Sequence, residues 1–355
     1  MASSDQNDVL TSNIQFLMYR IFVPMLVITA YLLLAFQIDP NRMEVTGIGT
    51  VQTVQYYRVN SNIFAANTKR LEEFIEKLSK DTLSRDLALN ELKACRKQYK
   101  KIEFFTSYFF NSETRLINAA PVIEVEEPTL EFVESMGMQQ IETLLFDQNY
   151  LDHKSELSLQ AGLLQSTASQ LTHLLYNFQI TDSQILESLR IDLIRVITLS
   201  ISGYDAPELK TGILEAQVCL ETMMTVLKPY FDKNPSATTN ELKEQVEKSI
   251  DFLSQNTDFN SFDRLQFLTG FALPLQSKLG QAIQSWGLEL NTQKHLNYEK
   301  SHLLSKGAVQ LQEKALDANT QISKIQLGKK LFLNNSLSGN GQKSCATCHS
   351  PESFF

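Results

Sequence analysis

Cysteine is scarce, with four in 355 residues, which excludes a disulfide-stapled fold. Glycine (13) and proline (9) are also few, against collagenous, low-complexity or turn-rich β architectures. Basic blocks are missing. The 32 lysines and arginines are spread through helix-like segments, the net charge is −8 and the pI is near 5.3. Nothing gathers the positive patch that a phosphate backbone attracts, so nucleic acid is not expected as a partner. Sustained period-2 alternation is lacking as well, and with it the signal for long strands. What is present, 43% apolar and 20% charged residues, is the composition of a folded protein with a core.

One long apolar run stands at the start of the chain. Ile21 to Ile38 carries no charge, with Arg20 before it and Asp39-Pro40 after it. A removable export signal has an apolar core of about 7–15 residues and a small-x-small cleavage site, whereas a spanning helix needs about 20 residues. The run falls between the two, lacks a clean cleavage site and contains Pro24. Residues 1–42 are therefore expected to be an export signal or membrane anchor, with an uncleaved anchor favoured over a signal and over a buried soluble helix. The body of the protein is then expected in the cell envelope, on the periplasmic side.

From residue 50 to about 290 the pattern is helix after helix, predicting an antiparallel multi-helix bundle. Helices are expected near 56–80, with Phe64, Leu71, Ile75 and Leu78 on one face, and near 84–111, 130–146, 156–177, 182–202, 208–232, 239–254 and 262–290. The segment 121–128, with two prolines and three glutamates, is expected to be the main internal loop. Thr181-x-x-Gln184 forms a capping box, and Pro274 predicts a kink. Residues 291–320 are polar and weakly periodic, suiting a linker or a helix across the junction. Cys95 and Cys219 fall in helical patterns, where a small buried thiol or a bridge between the two are the readings.

The chemistry concentrates at Cys345-Ala346-Thr347-Cys348-His349. Covalent haem attachment needs two thiols one helical turn apart, each adding to a porphyrin vinyl group, followed by an imidazole that reaches the iron. A zinc site would want a second ligand pair near in sequence, and a thioredoxin-like pair would want a βαβ setting. Neither is seen.

The surrounding residues carry a resemblance. Leu327-Gly328-Lys329-Lys330-Leu331-Phe332, then Leu337-Ser338-Gly339-Asn340-Gly341, then Ser344 to His349 with Pro351-Glu352 and Phe354, resemble the first haem segment of bacterial di-haem cytochrome c peroxidases and their MauG-like relatives. The resemblance implies that Cys345 and Cys348 bind haem c covalently and that His349 is the proximal iron ligand. It further implies that this haem reacts with hydrogen peroxide, and that electrons from a small donor protein reach it through a second haem. No second Cys-x-x-Cys-His occurs, all eight methionines precede the motif, and His295 and His302 are either approaching ligands or solvated linker histidines. Residues 321–355 are accordingly expected to be the start of a cytochrome c-type domain that the chain does not complete, with no peroxidase turnover of its own.

The helical region is similar to the N-terminal extension of some Bacteroidetes-type cytochrome c peroxidases and, more distantly, to imelysin, whose signature is Gly-x-His-x-x-Glu. Here the run is Gly137-Met138-Gln139-Gln140-Ile141-Glu142, with Glu103 on an earlier helix. Gln139 replaces the histidine, and a carboxamide is a poor metal ligand. Glu103 and Glu142 are either a buried polar pair or solvated. The sequence thus predicts an all-α protein with anchor, bundle and haem segment. Its reading is a haem peroxidase, with an electron-transfer or scaffold protein, and last an imelysin-like metal-binding module, as alternatives.

Overall fold

The computed structural model describes residues 47–120, 122–126, 129–133, 135–288, 296–297, 299–309 and 318–353. The apolar run 21–38 and His295 lie outside them, and among the described residues no helix is long and apolar enough to cross a membrane.

The first helix, α1 (Thr50–Glu76), buries Tyr57, Phe64, Leu71 and Ile75, which recur at seven- and four-residue spacing along one stripe. Its start is held from a distance, because the backbone N–H groups of Ile48 and Gly49 both donate to Asp182, 2.7 and 2.9 Å away. It packs against α2 (Thr82–Tyr99) and α6 (Lys154–Gln170). The expected helix 84–111 is broken: a turn at residues 100–102 separates α2 from α3 (Glu103–Phe109), and α4 (Asn111–Ile117) follows. Phe105, Phe109 and Phe110 fold back onto Tyr57 and Phe178 as an aromatic cluster.

The next stretch departs from expectation. The segment 121–133 contains an antiparallel hairpin, β2 (Val122–Glu126) with β3 (Thr129–Val133), rather than a loop alone. A second short pair joins β1 (Asn118–Ala119) to β4 (Met136–Gly137). The helix expected from 130 begins only at α5 (Met138–Phe146), because residues 129–133 alternate as Thr-Leu-Glu-Phe-Val and pair as a strand. Gly137 is required at that join: its φ is +63° and a Cβ there would lie 2.1 Å from the Ile117 carbonyl oxygen.

The second half is closer to prediction. Helix α7 (Asp182–Arg195) opens on the Thr181/Gln184 capping box and continues as one π-turn, Val196–Ser200. Helix α8 (Gly212–Lys233) packs on α9 (Ala237–Gln255). The expected helix 262–290 is three pieces: α10 (Arg264–Phe267), a π-turn Leu268–Ala272, and α11 (Leu273–Ser285). Pro274 explains the widened turn, since it offers no N–H to the Gly270 carbonyl. The Gln245 side chain supplies that bond instead, donating at 3.3 Å to the carbonyls of Gly270 and Phe271.

Past the bundle, Leu296 and Val309 pair in an isolated antiparallel bridge, and α12 (Ala318–Phe332) leads into the motif.

Candidate functional site

Around the motif the backbone is compact and local. Cys345–Thr347 forms a single 3-10 turn opened by a reciprocal capping pair, Ser344 with Thr347. The His349 N–H donates to the Cys345 carbonyl at 3.0 Å, placing the imidazole directly after the turn that carries both thiols. Cys345 and Cys348 are free and exposed, and His349 is exposed too. No residue from Asn319 to Glu352 whose burial is described is buried. Ile322, Ile325 and Leu327 on α12 are more than half exposed, as are Leu333 and Leu337 beyond it. Two accessible thiols one turn apart beside uncovered aliphatic side chains suit a large apolar ring with two vinyl attachment points, so the residues present fit haem.

A second constellation lies inside the bundle. Arg96 on α2, Lys100 in the turn after it and Arg195 at the end of α7 face Glu103, Glu142, Asp192, Asp205 and Glu215. Lys100 Nζ donates to Glu103 Oε2 at 2.7 Å and to Asp205 Oδ2 at 2.6 Å. Arg96 Nε donates to Glu215 at 2.8 Å, and its Nη2 donates to the Asp205 carbonyl. Arg195 reaches the other oxygen of Glu103 at 2.8 Å. Glu103 and Glu142 are both fully buried, so the solvated alternative for them is corrected.

Among the described residues three cations here meet five carboxylates, and full ionisation would leave an excess of negative charge in a dry interior. The carboxyls divide accordingly. Burial would raise Asp205 and Glu215, but Lys100 and Arg96 overcome it and hold both below the ordinary range. Burial wins at Glu142 despite Arg96, and burial with the nearby Glu103 charge pushes Asp192 up to about 7. Asp192 Oδ1 has no hydrogen-bond partner. Cys219, beside them, is a buried thiol raised by burial and by Asp192. Cys95 is likewise buried and free, and no bridge joins the two.

The run from Gly137 to Glu142 contributes to this network as scaffolding. Gln139 Nε2 donates to the Tyr204 and Asp205 carbonyls, and Glu142 accepts from the Glu208 and Leu209 backbone N–H groups. Glu103, Asp192 and Cys219 bring ligand atoms within 4.8 Å of one another, but Lys100 and Arg195 already neutralise Glu103. The donor set does not fit a metal, because fixed cations stand where an ion's charge would be needed. His302, a linker histidine by sequence, is half-buried against α11 in a recess whose walls include no residue of the haem motif.

Residues 322–355 match the family model of the di-haem cytochrome c peroxidases. The matched stretch begins within α12 and contains the whole Cys-x-x-Cys-His motif. No curated protein matches the chain.

Proposed function

We propose that this protein is a c-type haem protein of the cell envelope that takes part in peroxide reduction. The observation that carries the reading is the match of residues 322–355 to the di-haem cytochrome c peroxidases over a turn that presents Cys345 and Cys348 free and exposed. When bound, haem supplies an iron that changes oxidation state and, in peroxidases, reduces hydrogen peroxide with electrons from a donor protein.

The chain's own residues have a narrower task. Each cysteine adds its S–H across one vinyl group, the sulfur joining one carbon and the proton the other, so that no group leaves and nothing is oxidised. The Ser344/Thr347 capping pair fixes the turn and with it the spacing of the sulfurs. His349, following directly, provides the proximal nitrogen. The exposed α12 side chains are apolar surface for the ring to cover. One such motif is encoded, so one haem is assigned here, and the donor protein and peroxide are its partners in turnover. Residues 21–38 attach the chain to the membrane, supported by their uncharged, near-spanning length.

Production with the haem-maturation machinery tests the assignment. A denaturation-resistant haem-stained band is expected from the wild type and none from a Cys345→Ala, Cys348→Ala variant; a band that persists in the variant overturns it. Membrane fractionation tests the anchor, which fails if a chain lacking residues 1–42 still sediments after a high-salt wash.

A further inference from the structure

We propose that Tyr230 clasps the two ends of the bundle together, so that the chain sets out toward its haem segment from the point at which it arrives from the apolar run 21–38, and that this end of the bundle faces the membrane. The clasp stands on the contacts alone, whereas its orientation rests on the membrane attachment proposed above.

Residues 47–49 lead into α1, and Trp286 closes α11. Both lie against the ring of Tyr230, which is fully buried on α8. A Cβ at Gly49 would be 2.5 Å from Tyr230 Cε2 and 2.7 Å from its hydroxyl oxygen, so the backbone rests directly on the phenol and only glycine fits. That hydroxyl donates to Asp182 Oδ1 at 2.7 Å, and the same oxygen accepts the Gly49 N–H while Oδ2 accepts that of Ile48. Gly47 is closed in as well, since a Cβ there would lie 2.7 Å from Asp182 Oδ2. At the other end of the chain's path through the bundle, Trp286 stacks on the Tyr230 ring, with centroids 5.6 Å apart and planes 17° from parallel. Its indole N–H donates to Thr239 Oγ1 at 3.1 Å, and Phe231 meets it edge-on. Side chains of α7, α8 and α9 therefore hold the entry and the exit in one place.

The consequence is positional. From Ile38 to Ile48 is ten residue steps, which an extended chain covers in at most about 35 Å. Helix α1 alone has 27 residues and is about 40 Å long, and it leads away from that entry. An attachment at 21–38 thus tethers the Gly49 end of the bundle, and through Tyr230 the exit at Trp286 shares the same short tether.

The test uses the haem-bound full chain. Hydrogen exchange read by mass spectrometry follows both ends at once. Tyr230→Leu removes the ring and should speed exchange at least tenfold in peptides around residue 48 and around residue 286, with peptides of α2 unchanged. Tyr230→Phe keeps the stack on Trp286 but loses the bond to Asp182, and should loosen the entry alone. Loosening at one end only in Tyr230→Leu, or at neither end in both variants, would overturn the clasp. For the orientation, the chain is placed in vesicles with and without dansyl-labelled headgroups, and Trp286, its single tryptophan, is the energy donor. The comparison is a Leu83→Trp, Trp286→Phe chain, whose reporter is at an exposed position in the first turn of α2, just past the far end of α1. The loss of emission caused by dansyl should be at least threefold larger for Trp286. An equal or larger loss at position 83 overturns the orientation and leaves the anchor standing, while a chain that does not float with the vesicles overturns the anchor and the orientation with it.

Discussion

The bundle and the C-terminal segment dispose of their aliphatic side chains in opposite ways. Along α1, Tyr57, Phe64, Leu71 and Ile75 are fully buried, and even strongly charged Arg96, Lys100 and Glu103 are sealed inside. Along α12, Ile322, Ile325 and Leu327 are more than half exposed, although that helix is as regular as those of the bundle. Regular backbone therefore does not indicate a closed core. Helices of the bundle are stabilised by burying one another's faces, while α12 and the motif turn hold their shape through local hydrogen bonds and leave apolar surface for something else to cover. On the proposed reading, the inward-looking part holds the fold and the outward-looking part is where haem attaches.

The largest expected effect comes from the buried ion network. Lys100→Met removes the donor to Glu103 and Asp205 and leaves two buried carboxylates undercompensated, which should cost about 3–5 kcal/mol in denaturant unfolding. A loss below 1 kcal/mol would mean that water reaches the cluster.

A matched pair of substitutions sharpens the contrast itself. Leu71→Ala, in the core, should cost about 2–5 kcal/mol. Ile325→Ala, on the exposed face of α12, should leave bundle unfolding within about 0.5 kcal/mol of wild type. Similar losses at both positions would show that α12 belongs to the core.

A pH series examines Asp192. Its folded-state carboxyl is raised to about 7 from an ordinary 3.8, so its contribution to stability is present below the unfolded value and is lost as pH rises through the folded one. Its part of the wild-type stability should therefore be lost between about pH 4 and pH 7. Asp192→Asn, which cannot ionise, should show a distinctly shallower fall, and an unchanged slope would remove Asp192 from the account. Asp205 and Glu215, both lowered, act in the other sense and add stability that is lost at acid pH. Among the substitutions expected to destabilise the bundle, the mildest is at the α7 start, where Thr181→Ala removes a capping acceptor and should cost about 1 kcal/mol by denaturant midpoint.

Much of this was legible in the sequence because it is local. The capping box at Thr181 needs only residues 181–184, and the haem motif needs only residues 345–349 with its flanks. The face of α1 was visible from Phe64, Leu71 and Ile75. The hairpin at 122–133 was not, because two five-residue strands are too short to outweigh the prolines and glutamates around them. The buried network was missed for a different reason: the links of Arg96 to Glu215, Lys100 to Asp205 and Arg195 to Glu103 join residues 119, 105 and 92 apart in sequence. One signal did exist. Arg96, Lys100 and Glu103 continue the phase set by Ala88, Leu92 and Tyr99, so charges recur where the core face predicts apolar residues.

The division of labour is tested most directly by comparing the full chain with one lacking residues 318–355, both produced with the haem-maturation machinery. Thermal unfolding of the helical signal should show the same midpoint in both, while haem staining on a denaturing gel should be confined to the full chain. A midpoint several degrees lower in the shortened chain, or covalent haem still attached to it, would contradict the account.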